Sequence, residues 1–423
     1  MNRRDFIRDS ALLTAAAGGF MVEELQPEPA HANTAAPAAV NCAVIGLGPR
    51  GREITAALAK QDGISVSYVC DSYSVPAFIK HATDIVPQAQ AVADYKQVLS
   101  SAAVQAVFVA TPSHEHKQIV LDALSAGKHV YCEAPLASDL DDAKSIAQAG
   151  AAAKTIFQTG LQYRANKQHH HVLGFIRSLA LGTICEGRSQ WRKKTSWHVV
   201  APTDAREQEL NWRLHKSTSS GLPGEVGIHQ IDIATWFLNA PPLKVTGHGD
   251  IMFWKSEGLE VPDTVQLIFE YPNSVRYIFD GTLVSSFDGA SDVFMGSDCS
   301  ILVRDQRAWM FKEIDSPLLG WEVYARKDKL AIGDEVDGTG VALVADATKL
   351  LAQGVQPASV GTDVSQTALF KSVAAFINSV RTGAKPDADA AVGYQATVIA
   401  RKAHDASMTG STVVFDPTMF SLT

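Results

Sequence analysis

The run Gly46-Leu47-Gly48-Pro49-Arg50-Gly51 restricts what this chain can fold into more than any other stretch. The apolar residues before it, Cys42 to Ile45, read as a buried strand. Arg52 to Lys60 after it read as a helix with Ile54, Ala57 and Leu58 on one face. In a strand–turn–helix of this kind Gly46 permits the tight turn, Gly48 lets the backbone approach a diphosphate, and Gly51 lets the helix pack close to the strand. The diphosphate then meets unpaired amides at the helix start. A second strand, Ser65 to Cys70, ends in Asp71, where a carboxylate can accept from both ribose hydroxyls of adenosine. Together these residues predict a dinucleotide site.

The pattern continues as strands alternating with helices. Strands are expected at Val104 to Ala110, Lys128 to Cys132 and Thr155 to Gly160, and helices at His116 to Ala126 and Asp139 to Ala153. Such alternation implies an α/β Rossmann fold, a doubly wound parallel sheet whose ligands bind at the carboxyl ends of the strands. Asp71, Thr111, His114, His116 and Glu133 fall there. With 423 residues the chain is long enough for a second domain. After Gly160 the predicted strands follow one another: Ile184 to Trp191, Val245 to Phe253, Thr264 to Tyr271, Val275 to Asp280 and Ser300 to Arg304. Their alternation and turn signals argue an α+β domain with an open, mostly antiparallel sheet. Helices at Lys167 to Ser178, His229 to Leu238 and Ser365 to Arg381 are expected to cover one face. Pro317 to Pro357 is poorly patterned and reads as loop or insertion.

The first residues read as an address. Arg3-Arg4-Asp5-Phe6-Ile7-Arg8 is a twin-arginine signature, Ala11 to Val22 is mildly apolar, and Ala30-His31-Ala32 is a cleavage site. Residues 1–32 are therefore expected to be an export signal, with periplasmic or otherwise exported localisation, and 33–39 a flexible lead-in. Beyond them no apolar run is long enough to span a bilayer. A net charge of −8 leaves no basic footprint for nucleic acid. Of the five cysteines, Cys42, Cys70 and Cys132 lie in or beside predicted buried strands and read as small core residues.

Beyond these readings the chain resembles the glucose–fructose oxidoreductase / inositol dehydrogenase / MocA family from Val40 to about Ser407. The residues that carry the resemblance are Gly46 to Gly51, Ala110-Thr111-Pro112-Ser113-His114-Glu115-His116, Gly127 to Pro135 and Gly221 to Asp232. It implies a dinucleotide-binding domain over 40–160 and a substrate-binding and oligomerisation domain over 161–423. The cofactor implied is a nicotinamide dinucleotide, NAD rather than NADP because Asp71 would repel a 2′-phosphate, although Arg50 is placed where it could reach one. Its expected contacts are Gly46, Gly48, Pro49, Arg50, Gly51, Asp71, Ala110, Thr111, Pro112, His114, His116, Glu133 and Gln162. The substrate implied is a sugar, polyol or glycoside, and the partner a further copy of the chain through the sheet.

One departure stands out. The family's Glu-Lys-Pro is Glu133-Ala134-Pro135 here, and alanine can neither bind a hydroxyl nor shuttle its proton. Lys193, Lys194 and Lys216 are candidates to replace that lysine. The family's Asp-x-x-x-His is Glu225-Val226-Gly227-Ile228-His229. A carboxylate and an imidazole four apart on a helix share a face, about 5–6 Å between Cβ atoms, so Glu225 can orient His229 and favour its protonated form. His229 is the candidate general base. Tyr163, Arg164, Trp212, Arg213 and Asp232 stand where the family places sugar-binding residues. Arg164 and Arg213 equally fit ion-pair roles, and Asp232 a supporting role to His229. His169-His170-His171 point in different directions on a helix and read as a solvated helix end, not a metal site. Three functions remain open: an oxidoreductase that recycles a tightly bound NAD, a glycoside-cleaving enzyme using transient oxidation, and a sugar-binding relative without chemistry.

Overall fold

Strand β1 (Val40–Ile45) is buried almost throughout, as a run of apolar residues covered on both faces must be. In the computed structural model, which describes residues 39–201, 203, 206–304, 307–318, 327–330, 338–343 and 367–423, β1 lies at the centre of a six-stranded parallel sheet. The other strands are β2 (Ile64–Cys70), β3 (Gln90–Val92), β4 (Ala106–Val109), β5 (His129–Cys132) and β6 (Phe157–Thr159), in the order β3-β2-β1-β4-β5-β6. Helices α1 (Pro49–Ala59), α2 (Pro76–Ile85), α3 (Tyr95–Ser100), α4 (His116–Ser125) and α5 (Leu140–Ala152) wind around it. Asp139 starts α5 by accepting from the amides of Asp141 and Asp142. The stretch between Asp71 and Val104, not assigned in the sequence reading, supplies α2, β3 and α3, and β3 is too short to show a period.

After β6 come α6 (Lys167–Arg177), β7 (Ile184–Arg192), the single turn α7 (Glu207–Leu210) and α8 (Ile228–Leu238). Strands β8 (Lys244–Asp250), β9 (Thr264–Glu270), β10 (Arg276–Thr282), β11 (Ala290–Gly296), β12 (Cys299–Arg304), β13 (Arg307–Lys312), β14 (Lys327–Leu330) and β15 (Gly338–Leu343) follow. With β16 (Thr412–Val414) they form a ten-stranded sheet, order β14-β15-β13-β12-β11-β7-β10-β9-β8-β16. Every pairing in it is antiparallel except β7 with β10. The inner-face residues Val265, Leu267, Phe269, Tyr277, Phe279, Phe294 and Ile301 pack with Ile228, Ile231 and Phe237 of α8 in one core. The strand expected to reach Phe253 ends at Asp250. The stretch read as loop holds β14 and β15; its remainder past 318 lies outside the described residues.

Two corrections concern the C-terminal helices. The helix expected at Ser365 to Arg381 is α9 (Ala368–Thr382), and it does not cover the second sheet. Leu369, Val373, Phe376 and Ile377 pack with Leu47, Ile54, Phe108 and Tyr131 against the first. The sequence reading did not assign the next helix, α10 (Ala390–Thr409). Its Ala390, Tyr394 and Val398 join the core of the first sheet, while Ala396, Ile399, Ala400, Ala403 and Ala406 join that of the second. A helix buried on two sides has no clean apolar stripe, so its periodicity is hard to read. Residues 1–32 and all but the last of 33–39 lie outside the described residues. No helix among the described residues is long and apolar enough to cross a membrane.

Candidate functional site

Where β1 ends, Gly46 turns the chain at φ +93°, and its amide donates to the carbonyl of Cys70 (2.8 Å). A Cβ on Gly51 would stand 1.8 Å from the Gly46 carbonyl oxygen, so only glycine lets α1 start this close to the strand. The Cα–H of Gly48 that a side chain would replace points to open space, with nothing within 4 Å. Pro49 occupies the first turn of α1, and no side chain caps it. The helix amides are thus presented to a cradle that a Cβ at position 48 would fill.

This cradle forms part of the wall of a cleft lined by both domains. Gly46, Gly48, Pro49, Arg50, Asp71, Ala110, Thr111 and Pro112 line it from the first domain, and Trp212 and Arg213 from the second. Asp71 Oδ2 accepts from the Leu47 amide (2.8 Å), and Oδ1 from those of Tyr73 (3.0 Å) and Ser74 (3.1 Å). A carboxylate offers about four acceptor positions, so Asp71 retains room for about one ribose hydroxyl rather than a full pair. Arg50 does not wait for a phosphate. Nε donates to Glu133 Oε1 (2.9 Å), Nη2 to Gln162 Oε1 (2.8 Å) and Nη1 to Glu53 (3.2 Å). Glu133 is buried against Gly160, where burial raises its carboxyl while Arg50 pulls it down.

Two buried polar atoms beside this wall, Thr111 Oγ1 and His114 Nδ1, have no hydrogen-bond partner among the described residues. Orphaned groups of this kind call for a polar ligand. With the cradle and Asp71, they fit a dinucleotide. His116 is a correction. Its ring nitrogens face the carbonyls of Thr111 (2.9 Å) and Leu136 (3.1 Å), and it is 1% exposed, so it braces the cleft wall and cannot reach a cofactor.

On the substrate side the backbone makes a π turn over Pro223–Gly227 and then enters α8. That i→i+5 turn resets the register between Glu225 and His229. Glu225 accepts from Ser113 Oγ (3.3 Å) and the Ser220 amide (3.2 Å), and pairs with Arg213 Nε at 3.7 Å. It makes no hydrogen bond to His229, so the expected orienting carboxylate is corrected to a brace between the domains. His229 Nδ1 is buried and unpartnered, its ring is 5.9 Å edge-on to Tyr163, and burial, with Arg50 nearby, lowers its pKa to about 3. It is therefore a neutral imidazole, with no carboxylate to stabilise its protonated form.

Arg164 and Asp232 are not free for sugar. Nε and Nη2 of the arginine donate to the two carboxylate oxygens (2.8 Å each), in a pair buried beneath Trp236. His169 is buried, not solvated; it stacks on Tyr163 at 4.9 Å, and burial lowers it to about 3. Lys193, Lys194 and Lys216 are exposed and line no part of the cleft. Arg213 does line it, 4.6 Å over the Trp212 ring. Sequence reasoning missed Tyr73, Phe78, Tyr95 and Glu115, which line the cleft beside Asp71, and Trp197, Val199, Glu209 and Leu210, which line it from the second domain. The nearness of Tyr73 to Asp71, and the place of Glu115 between His114 and His116, were the signals that could have drawn attention to them.

The profile described as the oxidoreductase family with an NAD-binding Rossmann fold matches residues 40–161, and that of the GFO/IDH/MocA C-terminal domain matches 169–302. Levoglucosan dehydrogenase of Pseudarthrobacter phenanthrenivorans is 28% identical over 34% of this chain and 36% of its own. Inositol 2-dehydrogenase of Rhodococcus erythropolis is 32% identical over 33% and 40%. The 2,7-anhydro-N-acetylneuraminate hydratase of Escherichia coli is 25% identical over 55% and 59%. The chain thus spans between 36% and 59% of the length of these curated relatives. Among solved structures, a levoglucosan dehydrogenase in complex with NADH and L-sorbose superposes with a TM-score of 0.71 at 19% identity, over 90% of this chain and 99% of that one. At that identity the likeness is one of fold.

Proposed function

Because this chain belongs to the Gfo/Idh/MocA oxidoreductase family and carries its NAD-binding Rossmann domain, we propose that it is an NAD-dependent oxidoreductase of a sugar, polyol or glycoside whose cofactor stays bound and is restored in every turnover. The observation that carries the reading is a shared cleft, in which the glycine cradle, Asp71 and the orphaned Thr111 hydroxyl share walls with Trp212 and Arg213 of the second domain. The names of the relatives, levoglucosan and inositol dehydrogenases, support a polyhydroxylated substrate.

When bound, NAD would supply the hydride acceptor. The protein would supply position, charge and a proton acceptor. Its preference for NAD over NADP rests on Asp71 and on Arg50, whose donors are already engaged with Glu133, Gln162 and Glu53. His229 does not itself line the cleft, but it is neutral with an unpartnered Nδ1, and in this reading it takes the hydroxyl proton. Arg213, pinned by Glu225 and resting on Trp212, adds a fixed positive charge near the substrate side.

A redox-neutral variant, in which oxidation is transient and a glycosidic bond is cleaved, is favoured by one observation. Ala134, half-buried against the second core, offers no proton-carrying side chain where the family has lysine. The hydratase among the relatives is consistent with such net chemistry. Export by the twin-arginine signature would place the enzyme outside the nicotinamide pool of the cytoplasm, and so favour a cofactor loaded before export.

The test is to dialyse purified protein extensively, identify the nucleotide released on denaturation, and assay free sugars and aryl glycosides without added cofactor. Stoichiometric NAD and turnover without supplementation are expected. A nucleotide-free protein that consumes added NAD and releases equal NADH would refute cofactor recycling. His229→Asn should lower turnover by about 10²–10⁴-fold. Since the neutral ring is the base and its pKa is about 3, it stays competent as pH falls through 6. The acid limb due to His229 is expected below about pH 4.

A further inference from the structure

Two segments of the second domain, residues 197–201 and 206–213, help to wall the cleft together with the first domain. Trp197 and Val199 lie in the first segment, and Glu209, Leu210, Trp212 and Arg213 in the second, all lining the same cleft as Gly48 and Asp71. The two segments are tied together by Asn211, which is 1% exposed. The Asn211 side chain accepts from the Val199 amide (2.6 Å) and donates to the Val199 carbonyl (2.9 Å) and to Glu207 (2.8 Å). His198 meets the same Glu207 at 3.1 Å. The root is tied to the sheet side, with the Thr195 amide donating to Leu283 and the Ser196 hydroxyl to Glu257.

The far side is held by Arg206. Its Nη2 donates to the backbone carbonyl of Tyr73, just past Asp71, and its guanidinium lies 5.2 Å over the Tyr73 ring. Glu209 pairs with the same guanidinium. Tyr73 is in turn fixed by its hydroxyl, which donates to Glu115 at 2.7 Å. The cleft thus has a floor from one domain and a cover from the other, and Arg206 joins their edges beside Asp71.

We propose that residues 197–201 and 206–213 form a clasp that retains the dinucleotide, with Arg206 as its latch on Tyr73. The proposal rests on the reading that the cleft holds NAD, and it adds the residues that set the rate of exchange. In this arrangement a nucleotide on the floor leaves faster when the edge at Arg206 is open. Opening breaks a charge-assisted hydrogen bond and a cation–π contact together, and neither lies on the Rossmann domain's own fingerprint. The glycine cradle and Asp71 would account for affinity, and Arg206 for residence time.

The experiment is a chase. Full-length protein is loaded with NADH, excess NAD is added, and release is followed by loss of energy transfer from tryptophan to NADH. Arg206→Ala should release NADH at least tenfold faster than the parent. Arg206→Lys should fall between them, because it keeps a charged donor but loses the planar stack. Tyr73→Ala, which leaves the backbone carbonyl in place, should accelerate release only a few-fold. If Arg206→Ala does not fold, the lysine and Tyr73→Ala variants carry the same ordering. Equal release rates in all variants would overturn the clasp even if the parent retains NAD through dialysis. A parent that exchanges within seconds, with Arg206→Ala at least tenfold faster still, would sustain the clasp while refuting cofactor recycling. A protein that binds no NADH would overturn both.

Discussion

Gly51 and Gly48 serve the same motif for different reasons, and substitution separates them. At Gly51 a methyl would collide with the backbone oxygen of Gly46 at 1.8 Å, and backbone cannot give way as a side-chain tip can. Gly51→Ala is expected to destabilise the fold by about 3 kcal/mol, at the upper end for overpacking. At Gly48 nothing lies within 4 Å. Gly48→Ala should leave stability within about 0.5 kcal/mol and weaken NADH binding instead, because the methyl stands in the diphosphate cradle. Urea unfolding read beside a nucleotide titration checks both. Equal losses of stability in the two variants would show that the cradle assignment is wrong. At this scale no lysine lines the cleft among the described residues. Arg213 brings charge, but a guanidinium keeps its proton at any working pH, so the proposed reaction leaves proton transfer to His229.

Among elements, the π turn before α8 decides which partners Glu225 and His229 find. It sends the carboxylate to Ser113, Ser220 and Arg213, and leaves the imidazole against Tyr163. The 3₁₀ turn over Gln162–Ala165 is fixed at both ends. Gln162 holds Arg50 of the cofactor wall, and Arg164 holds Asp232 of α8. Both members of the latter pair are almost fully buried. Removing one partner leaves an uncompensated charge, so Asp232→Asn should cost about 3–5 kcal/mol. Replacing both by apolar residues of like volume should cost far less. Denaturant midpoints of the single and double variants test this. A single variant as stable as the parent would mean that the pair does not anchor α8.

For the whole molecule, the outer face of the second sheet carries apolar residues that are only partly covered among the described residues. Its register places Ile268, Ile278, Arg188, Val293, Leu302 and Trp309 side by side on neighbouring strands. Ile268 is 49% exposed and the other apolar members are half-buried. An apolar row of this kind, interrupted by Arg188, suits a second copy of the same sheet better than water. Ile268→Lys combined with Leu302→Lys should shift the sedimenting mass toward the monomer with little change in melting, since both positions lie on the outer face. A mass unchanged by the double variant would place the interface elsewhere. The α10 helix acts at the same scale, because its two buried faces belong to different sheets and fix the walls of the cleft relative to each other.

The sequence alone determined the Rossmann half of the chain. A buried strand, a glycine turn with an unavoidable steric demand and a carboxylate at the next strand end are local facts, and local facts are legible in a linear pattern. It also determined the antiparallel character of the second domain, through the alternation in β9 and its neighbours. The tertiary structure decided the rest. Packing alone sends α9 to the first sheet, because its apolar stripe fits either sheet equally well. The burial of His169 and the pairing of Arg164 with Asp232 depend on which faces meet, and spacing does not encode that. The π turn broke the inference that assumed regular helical geometry between Glu225 and His229. The cover of the cleft was invisible for the same reason. Arg206 and Tyr73 are 133 residues apart in the chain, and only the closure of one domain on the other makes them neighbours.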